Sequence, residues 1–271
     1  MIQSVKRATD ITSLFTASQT SLGITQIAEA LGLNKATVWG LVTTLEKQGF
    51  LQQDAETHKY SLGPKMFELG MVYIGSLEIN AKASRLAHGL ASRTRLNARV
   101  AIWSGGTALI TLLALPKAED SFSRQIGPRV PAYCSAVGKA LLAFLEPEQI
   151  EAYLRDTELL RHTPSTIVTA EELLHDLEQI RQRGYAISAE EMIPGVTALG
   201  APIFGRRRQL VGSISLSAPP AVMAGATLDT LADELLRTAA AISQEMGYYK
   251  DLTGIETLRG GGRERLPASP R

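Results

Sequence analysis

The tightest constraint on this chain is a pair of short helical patterns within residues 24–62, separated by the interruption Gly32-Leu33-Asn34. The first, residues 25–31 (TQIAEAL), carries a short apolar face, and Thr25 stands where its hydroxyl can cap the opening turn; Asn34 stands in the same place before the second, residues 35–48. In the second helix Val38, Leu41, Val42 and Leu45 fall at i, i+3, i+4 and i+7, one stripe that must face a core. The other side belongs to Ala36, Gly40, Thr43 and Lys47, flanked by Lys35, Thr37, Trp39 and Thr44, with no acidic residue before Glu46. A helix with small and polar residues outward can approach another surface closely, and in a helix-turn-helix that surface is the floor of the DNA major groove. Residues 50–53 and 59–62 read as two short strands around residues 54–58, the hairpin of a winged variant. An ordinary three-helix packing unit accounts for the same local pattern, so the choice rests on the rest of the chain.

Bulk charge gives the DNA reading no support. In the first 77 residues Lys6, Arg7, Lys35, Lys47, Lys59 and Lys65 are matched by Asp10, Glu29, Glu46, Asp54, Glu56 and Glu68. Phosphate neutralisation supplies much of DNA affinity, so these few cations would have to cluster on the recognition side and be doubled by a dimer. After Ser4, a helical pattern with Val5, Ala8, Ile11, Thr12 and Phe15 on one side brings Lys6 and Arg7 near a phosphate backbone, or leaves them solvated. A length of 271 residues and an average hydrophobic content suit two domains with proper cores. The single cysteine, Cys134, excludes an internal disulfide and a multi-cysteine zinc site. The first ten residues lack the apolar core of a signal peptide, and no apolar run reaches the roughly 18 residues of a membrane span. A soluble, cytoplasmic protein is the expectation.

Beyond Gly63-Pro64 two helical stretches, residues 65–76 and 79–94, form a linker with Met66, Leu69, Gly70 and Tyr73 on one face, either a dimer seam or a plain connector. From Asn97 the pattern changes to strands at residues 99–103 and 108–115 around Ser104-Gly105-Gly106. Helices follow at residues 135–145, 147–155 and 169–182, the last ended by Gly184, then a strand at residues 185–189. Two more strands, residues 195–204 and 210–217, flank Gly205-Arg206-Arg207-Arg208, whose arginines read as solvated. A helix over residues 227–246 closes this α+β domain, and a tail rich in Gly, Pro and charge is expected to be disordered.

Two stretches of the second domain offer a site. Tyr133-Cys134-Ser135-Ala136-Val137-Gly138-Lys139-Ala140 opens a helix, whose first turn attracts carboxylates; close packing on the sheet explains the small residues equally well. A phosphate loop is excluded, because Tyr133 stands where glycine is required and Ala140 where Ser or Thr is required. In residues 211–217 (VGSISLS) Ser213, Ser215 and Ser217 share one strand face, either lining a ligand cavity or washed by solvent. Catalytic signatures are lacking: there is no G-x-S-x-G or H-E-x-x-H, and His58, His88, His162 and His175 are scattered through segments that read as surface. Cys134 reads as a buried thiol, and Glu190 and Glu191, as strand neighbours, face opposite sides.

These residues resemble the IclR-type transcriptional regulators. The resemblance spans nearly the whole chain: residues 4–8, 25–50 around Ala36-Thr37-Val38, Tyr60-Ser61-Leu62-Gly63, 133–143 (YCSAVGKALLA), 180–191 (IRQRGYAISAEE), 195–204 (GVTALGAPIF) and 211–219. Each motif alone is weak, but together in order and spacing they are specific. The resemblance implies an α/β two-domain chain: a winged helix-turn-helix over residues 4–65, a helical linker over 66–80, a GAF-like α+β effector-binding domain over 81–250 and a tail over 251–271. It also implies homodimers or dimers of dimers that repress or activate catabolic genes, and symmetric half-sites would multiply the readout of one short helix.

The expected DNA contacts are Arg7, Thr25, Lys35, Ala36, Thr37, Trp39, Gly40 and Lys59. The effector pocket, carried over by position, comprises Ser135, Ala136, Gly138, Ser188, Ala198, Ser215 and Ser217. Some members with small-acid effectors carry aspartate where Ser188 stands and cysteine where Ala198 stands, which makes this pocket less acidic and roomier and suggests a larger, aromatic carboxylate. Many relatives carry arginine where Gly40 stands, which removes a phosphate or base contact. No cofactor, metal, membrane partner or catalytic residue is expected. The alternative is a cytoplasmic enzyme, or a ligand-sensing module without DNA binding, acting on a small carboxylate through Cys134, Ser215 or Glu191.

Overall fold

The computed structural model describes residues 1–116 and 127–249. The expected tail over 251–271 lies outside the described residues. The chain divides into two compact units, the first Met1–Leu77 and the second beginning at Glu78.

The first unit contains α1 (Gln3–Ser13), α2 (Ile24–Leu31), α3 (Lys35–Lys47), β1 (Leu51–Gln53), β2 (Tyr60–Leu62) and α4 (Pro64–Ser76). Its core is Ile11, Leu22, Ile27, Ala28, Val38, Val42, Leu51 and Tyr60, with Leu41 and Leu45 packed against it, so the apolar stripe of α3 faces inward as its spacing requires. Gly32 ends α2 at φ 63°, a left-handed conformation that glycine adopts without steric cost, and this turns the chain into α3. The Asn34 side chain then accepts a 2.8 Å hydrogen bond from the Thr37 amide, the cap that residue type predicts. Thr25 does not cap α2. The helix starts one residue earlier, behind Gly23, whose amide donates to Gln26 Oε1 at 2.9 Å. Ser4 likewise lies inside α1, which begins at Gln3 without a side-chain cap, and Val5 is exposed rather than packed inward. β1 and β2 pair antiparallel, Leu51 opposite Leu62, and Leu22 extends the hairpin through backbone bonds to Tyr60.

The second unit runs α5 (Glu78–Thr94), β3 (Asn97–Ser104), β4 (Thr107–Ala114), β5 (Arg129–Pro131), α6 (Ala136–Leu142), α7 (Pro147–Asp156), α8 (Ala170–Arg183), β6 (Ala186–Ala189), β7 (Thr197–Phe204), β8 (Leu210–Ala218) and α9 (Gly225–Glu245). The second helical stretch read as linker is thus part of this unit, and Leu77 breaks it from α4. Six strands form one antiparallel sheet in the order β5-β4-β3-β8-β7-β6. The short edge strand β5 is not visible in the periodicity, because three residues around a proline carry no alternation to read.

Alternation along β8 sends Ile214 and Leu216 to one face and Ser213, Ser215 and Ser217 to the other. All five are buried. The serine face is therefore not solvent-washed: α6 lies over it, with Ser213 Oγ donating to Val137 O at 2.9 Å. Gly200 of β7 meets α6 so closely that a Cβ there would come 2.2 Å from Ala136 O, which explains a glycine in mid-strand. On the opposite face a Cβ at Gly212 would strike Ile79 of α5.

Candidate functional site

In the first unit the outer side of α3 presents Lys35, Ala36, Trp39 and Gly40 to solvent, with Thr37 half-buried. Trp39 is 61% exposed, which rules out a core role within this unit. Thr25 and Lys59 are also exposed, Arg7 is half-buried on α1, and Lys6 is held by Asp10 at 2.6 Å. These side chains occupy α1, α2, α3 and the hairpin, and only Lys35, Ala36, Thr37, Trp39 and Gly40 share one helix. Nothing lies within 4 Å of a Cβ built on Gly40. Gly40→Ala should therefore stabilise the first unit by up to ~1 kcal/mol through backbone entropy alone, read as a higher melting temperature; a lower one would mean the position is sterically closed.

In the second unit a cavity of about 50 Å³ lies between the serine face of the sheet and α6. Ser135, Ala136, Ser188, Ala198, Ser215 and Ser217 line it, which brings together six of the seven residues expected there. The register explains the convergence: Ser188 stands opposite Ala198 on β6 and β7, and Ala198 opposite Ser217 on β7 and β8. Gly138 does not line the cavity. It points the other way, where a Cβ would come 2.4 Å from Ala132 Cα, so its small size serves helix packing.

The hydroxyls at the helix start are already engaged. Ser135 Oγ donates to Pro131 O at 2.6 Å and accepts from the Gly138 amide at 3.2 Å, while Ser188 Oγ donates to Cys134 O at 2.7 Å. Arg99 supplies the charge. It sits on β3 opposite Ser215, is buried, and donates through Nη1 to Ser217 Oγ at 2.6 Å. Burial lowers its pKa from the ordinary arginine value. Sequence reasoning missed Arg99, although one signal was available: a cation inside the otherwise apolar run Ala98-Arg99-Val100-Ala101. A strand buried on both faces tolerates a guanidinium only where polar partners await it. Ile110, Val130, Val137, Met192, Ile193 and Val196 complete the wall, so the cavity combines one cation and small hydroxyls with an apolar surround.

Met192, Ile193 and Val196 belong to the segment from Glu190 to Val196 between β6 and β7. Its start is pinned from below. Lys139 of α6, 1% exposed, reaches Glu191 Oε1 at 2.6 Å and Asp176 Oδ2 at 2.8 Å, and Arg183 approaches Asp176 at 3.5 Å. Thr163 and Thr166 donate to the carbonyls of Glu190 and Glu191 at 2.7 and 2.6 Å. Glu190 turns away and accepts from the Gly195 amide at 2.7 Å, so the two glutamates do not share a site.

The reactive candidates fare poorly as chemistry. Cys134 is fully buried, and burial pushes its thiol up to about 12, so the thiolate is scarce at neutral pH. All four histidines are on the surface, and no group of three metal-ligating side chains occurs among the described residues. No helix among the described residues is long and apolar enough to cross a membrane.

Both units match known protein families. The family pattern described as "IclR helix-turn-helix domain" matches residues 4–55, and that described as "Bacterial transcriptional regulator IclR C-terminal" matches residues 71–244. The HTH-type transcriptional regulator XynR of Escherichia coli (strain K12) is 33% identical over 249 residues, covering 92% of this chain and 98% of its own length. The solved structure of an IclR transcriptional regulator from Alicyclobacillus acidocaldarius superposes with a TM-score of 0.79 at 27% identity, over 90% of this chain and 98% of that one. An IclR homolog from Microbacterium hydrocarbonoxydans, solved in complex with 4-hydroxybenzoate, shares the fold at a TM-score of 0.76 and 19% identity, over 90% of this chain and 99% of that one.

Proposed function

The chain belongs to the IclR family of bacterial transcriptional regulators, and from that membership we propose which residues read DNA and what the second unit senses. It is a DNA-binding transcriptional regulator with a C-terminal effector-binding domain.

In the proposed reading α3 enters the major groove, with Lys35, Ala36, Thr37, Trp39 and Gly40 toward base edges or adjacent backbone and Arg7, Thr25 and Lys59 toward phosphates. The single supporting observation is the exposure of that side of a helix whose other side is core. Lys35→Ala should weaken operator binding by roughly 1–3 kcal/mol with altered sequence preference if Lys35 contacts a base. Uniform weakening across sequences, in fluorescence anisotropy with operator variants, would make it a phosphate contact instead.

The effector in this reading is an organic acid with an apolar, aromatic body. Arg99 takes the carboxylate, Ser215 and Ser217 orient it, and Met192, Ile193 and Val196 cover the body. Ala136 and Ala198 leave room, while Ser135 and Ser188 hold the wall in place. Cavities that enclose small ligands run to roughly 300–1,000 Å³. At about 50 Å³ this one is too small for such an acid as it stands, so its wall must yield on binding, and in this reading the part that moves is the segment from Glu190 to Val196. The 4-hydroxybenzoate held by the Microbacterium homolog is an acid of the proposed class. Calorimetry over a panel of acids tests the class, and tight binding confined to two- or three-carbon acids would refute it.

The first unit is charge-balanced, so pairing is part of the proposal. α4 exposes Phe67, Leu69, Met71, Val72, Tyr73 and Ile74, more apolar surface than a lone helix presents to water, and a homodimer, or a dimer of dimers, would cover it. The relatives are transcriptional regulators, and we assign no catalytic turnover to this chain, which would act on chromosomal DNA in the cytoplasm. Mobility shift with the DNA upstream of its own gene, with and without the acids that bind, tests the whole reading. A dimer that ignores specific fragments at low ionic strength, whatever acid is supplied, would overturn it.

A further inference from the structure

A second cavity, about 360 Å³, lies in the second unit where the end of β7 meets α8 and α9. Its volume is already within the range of small-ligand sites, unlike that of the smaller cavity around Arg99. The wall is aromatic: the Phe204 ring meets Phe144 edge-on at 5.4 Å and Tyr248 at a tilt at 5.7 Å. Pro202 adds a rigid apolar surface, and two guanidinium groups, those of Arg181 and Arg208, complete the lining. No acidic side chain lines this cavity among the described residues.

Arg181 is held rather than loose. Arg181 Nε donates to Ala143 O at 2.7 Å and its Nη1 pairs with Glu178 at 3.1 Å, which fixes the guanidinium at the cavity wall. Arg208 follows Arg207 in a left-handed backbone conformation, at φ 61° and 58°. Non-glycine residues rarely occupy that region, two in succession still more rarely, and here the turn places Arg208 in the cavity lining. The three arginines at this hairpin tip are exposed, as a solvated turn requires, but one of them also lines a cavity.

We propose that this cavity is a second small-molecule site, which takes an aromatic carboxylate with its ring against Phe204 and its charge between Arg181 and Arg208. Glu178 offsets part of the Arg181 charge, but no acidic side chain pairs with Arg208 among the described residues, so the lining favours an anion, and the guanidinium fork matches a carboxylate. Offset or edge-on ring contacts select a planar apolar body. The site is independent of the one around Arg99: Pro202 stands four residues along β7 from Ala198, about 13 Å at the rise of an extended strand. An acid bound at either end of this strand therefore touches the same element without sharing a contact residue.

Calorimetry with phenylacetate, in full-length protein carrying Arg99→Gln, examines this cavity with the other disabled. Phenylacetate should bind, phenylacetamide should bind at least tenfold more weakly, and adding Arg208→Gln should cost at least tenfold in phenylacetate affinity. Arg208 is exposed, so its loss leaves folding unaffected, whereas Arg181 also holds Ala143 and is the less clean target. No uptake of phenylacetate at millimolar concentration by the Arg99→Gln chain, equal binding of acid and amide, or indifference to Arg208→Gln would each overturn the proposal. None of these results bears on the Arg99 cavity, which is judged separately by comparing wild type with Arg99→Gln over the full panel of acids.

Discussion

Arg99→Gln should abolish the response of operator binding to acids while leaving the operator affinity of the acid-free protein unchanged. The guanidinium is buried against Ser217 Oγ at 2.6 Å, so a carboxylate that meets it does so out of water. Removing one partner of a buried, hydrogen-bonded charge pair costs about 2–5 kcal/mol. That corresponds to roughly 30-fold to several thousandfold in affinity, at about 1.4 kcal/mol per decade. Burial lowers the pKa of Arg99, but an arginine starts so far above neutrality that it stays cationic in the cavity. Arg99→Lys keeps the charge and loses the fork, and should fall between wild type and Arg99→Gln. The decisive measurement compares the acid that binds wild type most tightly with its primary amide. Wild type should prefer the acid strongly and Arg99→Gln should not. A variant that melts lower yet keeps the full preference would show that Arg99 only holds Ser217 in place.

Why Arg99 escaped notice while six neighbours did not follows from what a sequence displays. The serine row of β8 is visible because alternate residues share a face, and the start of α6 is visible because small residues cluster there. Both are local patterns. Arg99 reaches the cavity through the pairing of β3 with β8, opposite Ser215, and no spacing within either strand announces which strands become neighbours. The same holds for Met192 and Ile193, which come from a segment without periodicity. Gly138 illustrates the opposite error. A small residue at a helix start suits a ligand or a close helix contact equally well, and only the position of Ala132 decides for packing. In the first unit the stripe of α3, its Asn34 cap and the wing were all legible, because each is set within a few residues. The start of α2 was not. Gly23 and Thr25 both suit the neighbourhood of a helix start, and the chain begins the helix behind the glycine.

Lys139→Met should be the most damaging single change to the second unit, and its effect should depend on pH. Lys139 Nζ lies 2.6 Å from Glu191 and 2.8 Å from Asp176 with 1% of the side chain exposed, and methionine keeps the length of the stem while deleting the charge. Breaking a buried pair from one side leaves an uncompensated carboxylate and costs roughly 3–5 kcal/mol. For a domain of this size that is a fall of roughly 6–20 °C in melting temperature. Glu191 already sits above the usual carboxylate range because burial disfavours its charge, and Lys139 opposes that rise. Without Lys139 its folded pKa climbs further. A carboxylate raised in the folded state contributes stability below its unfolded pKa and loses that contribution as pH rises through the folded value. The variant should therefore lag wild type most near pH 8 and recover toward it near pH 5, where proton uptake by Glu191 in the folded state relieves the uncompensated charge. Because Glu191 anchors the segment that carries Met192 and Ile193, acid binding at the Arg99 cavity should weaken as well, even under conditions where the fold holds. Scanning calorimetry at the two pH values, with acid titrations at the lower one, checks both. An equal loss of melting temperature at pH 5 and pH 8 would mean that Lys139 acts by filling space. Unchanged acid affinity in the folded variant would mean that the Glu191 anchor does not govern the cavity.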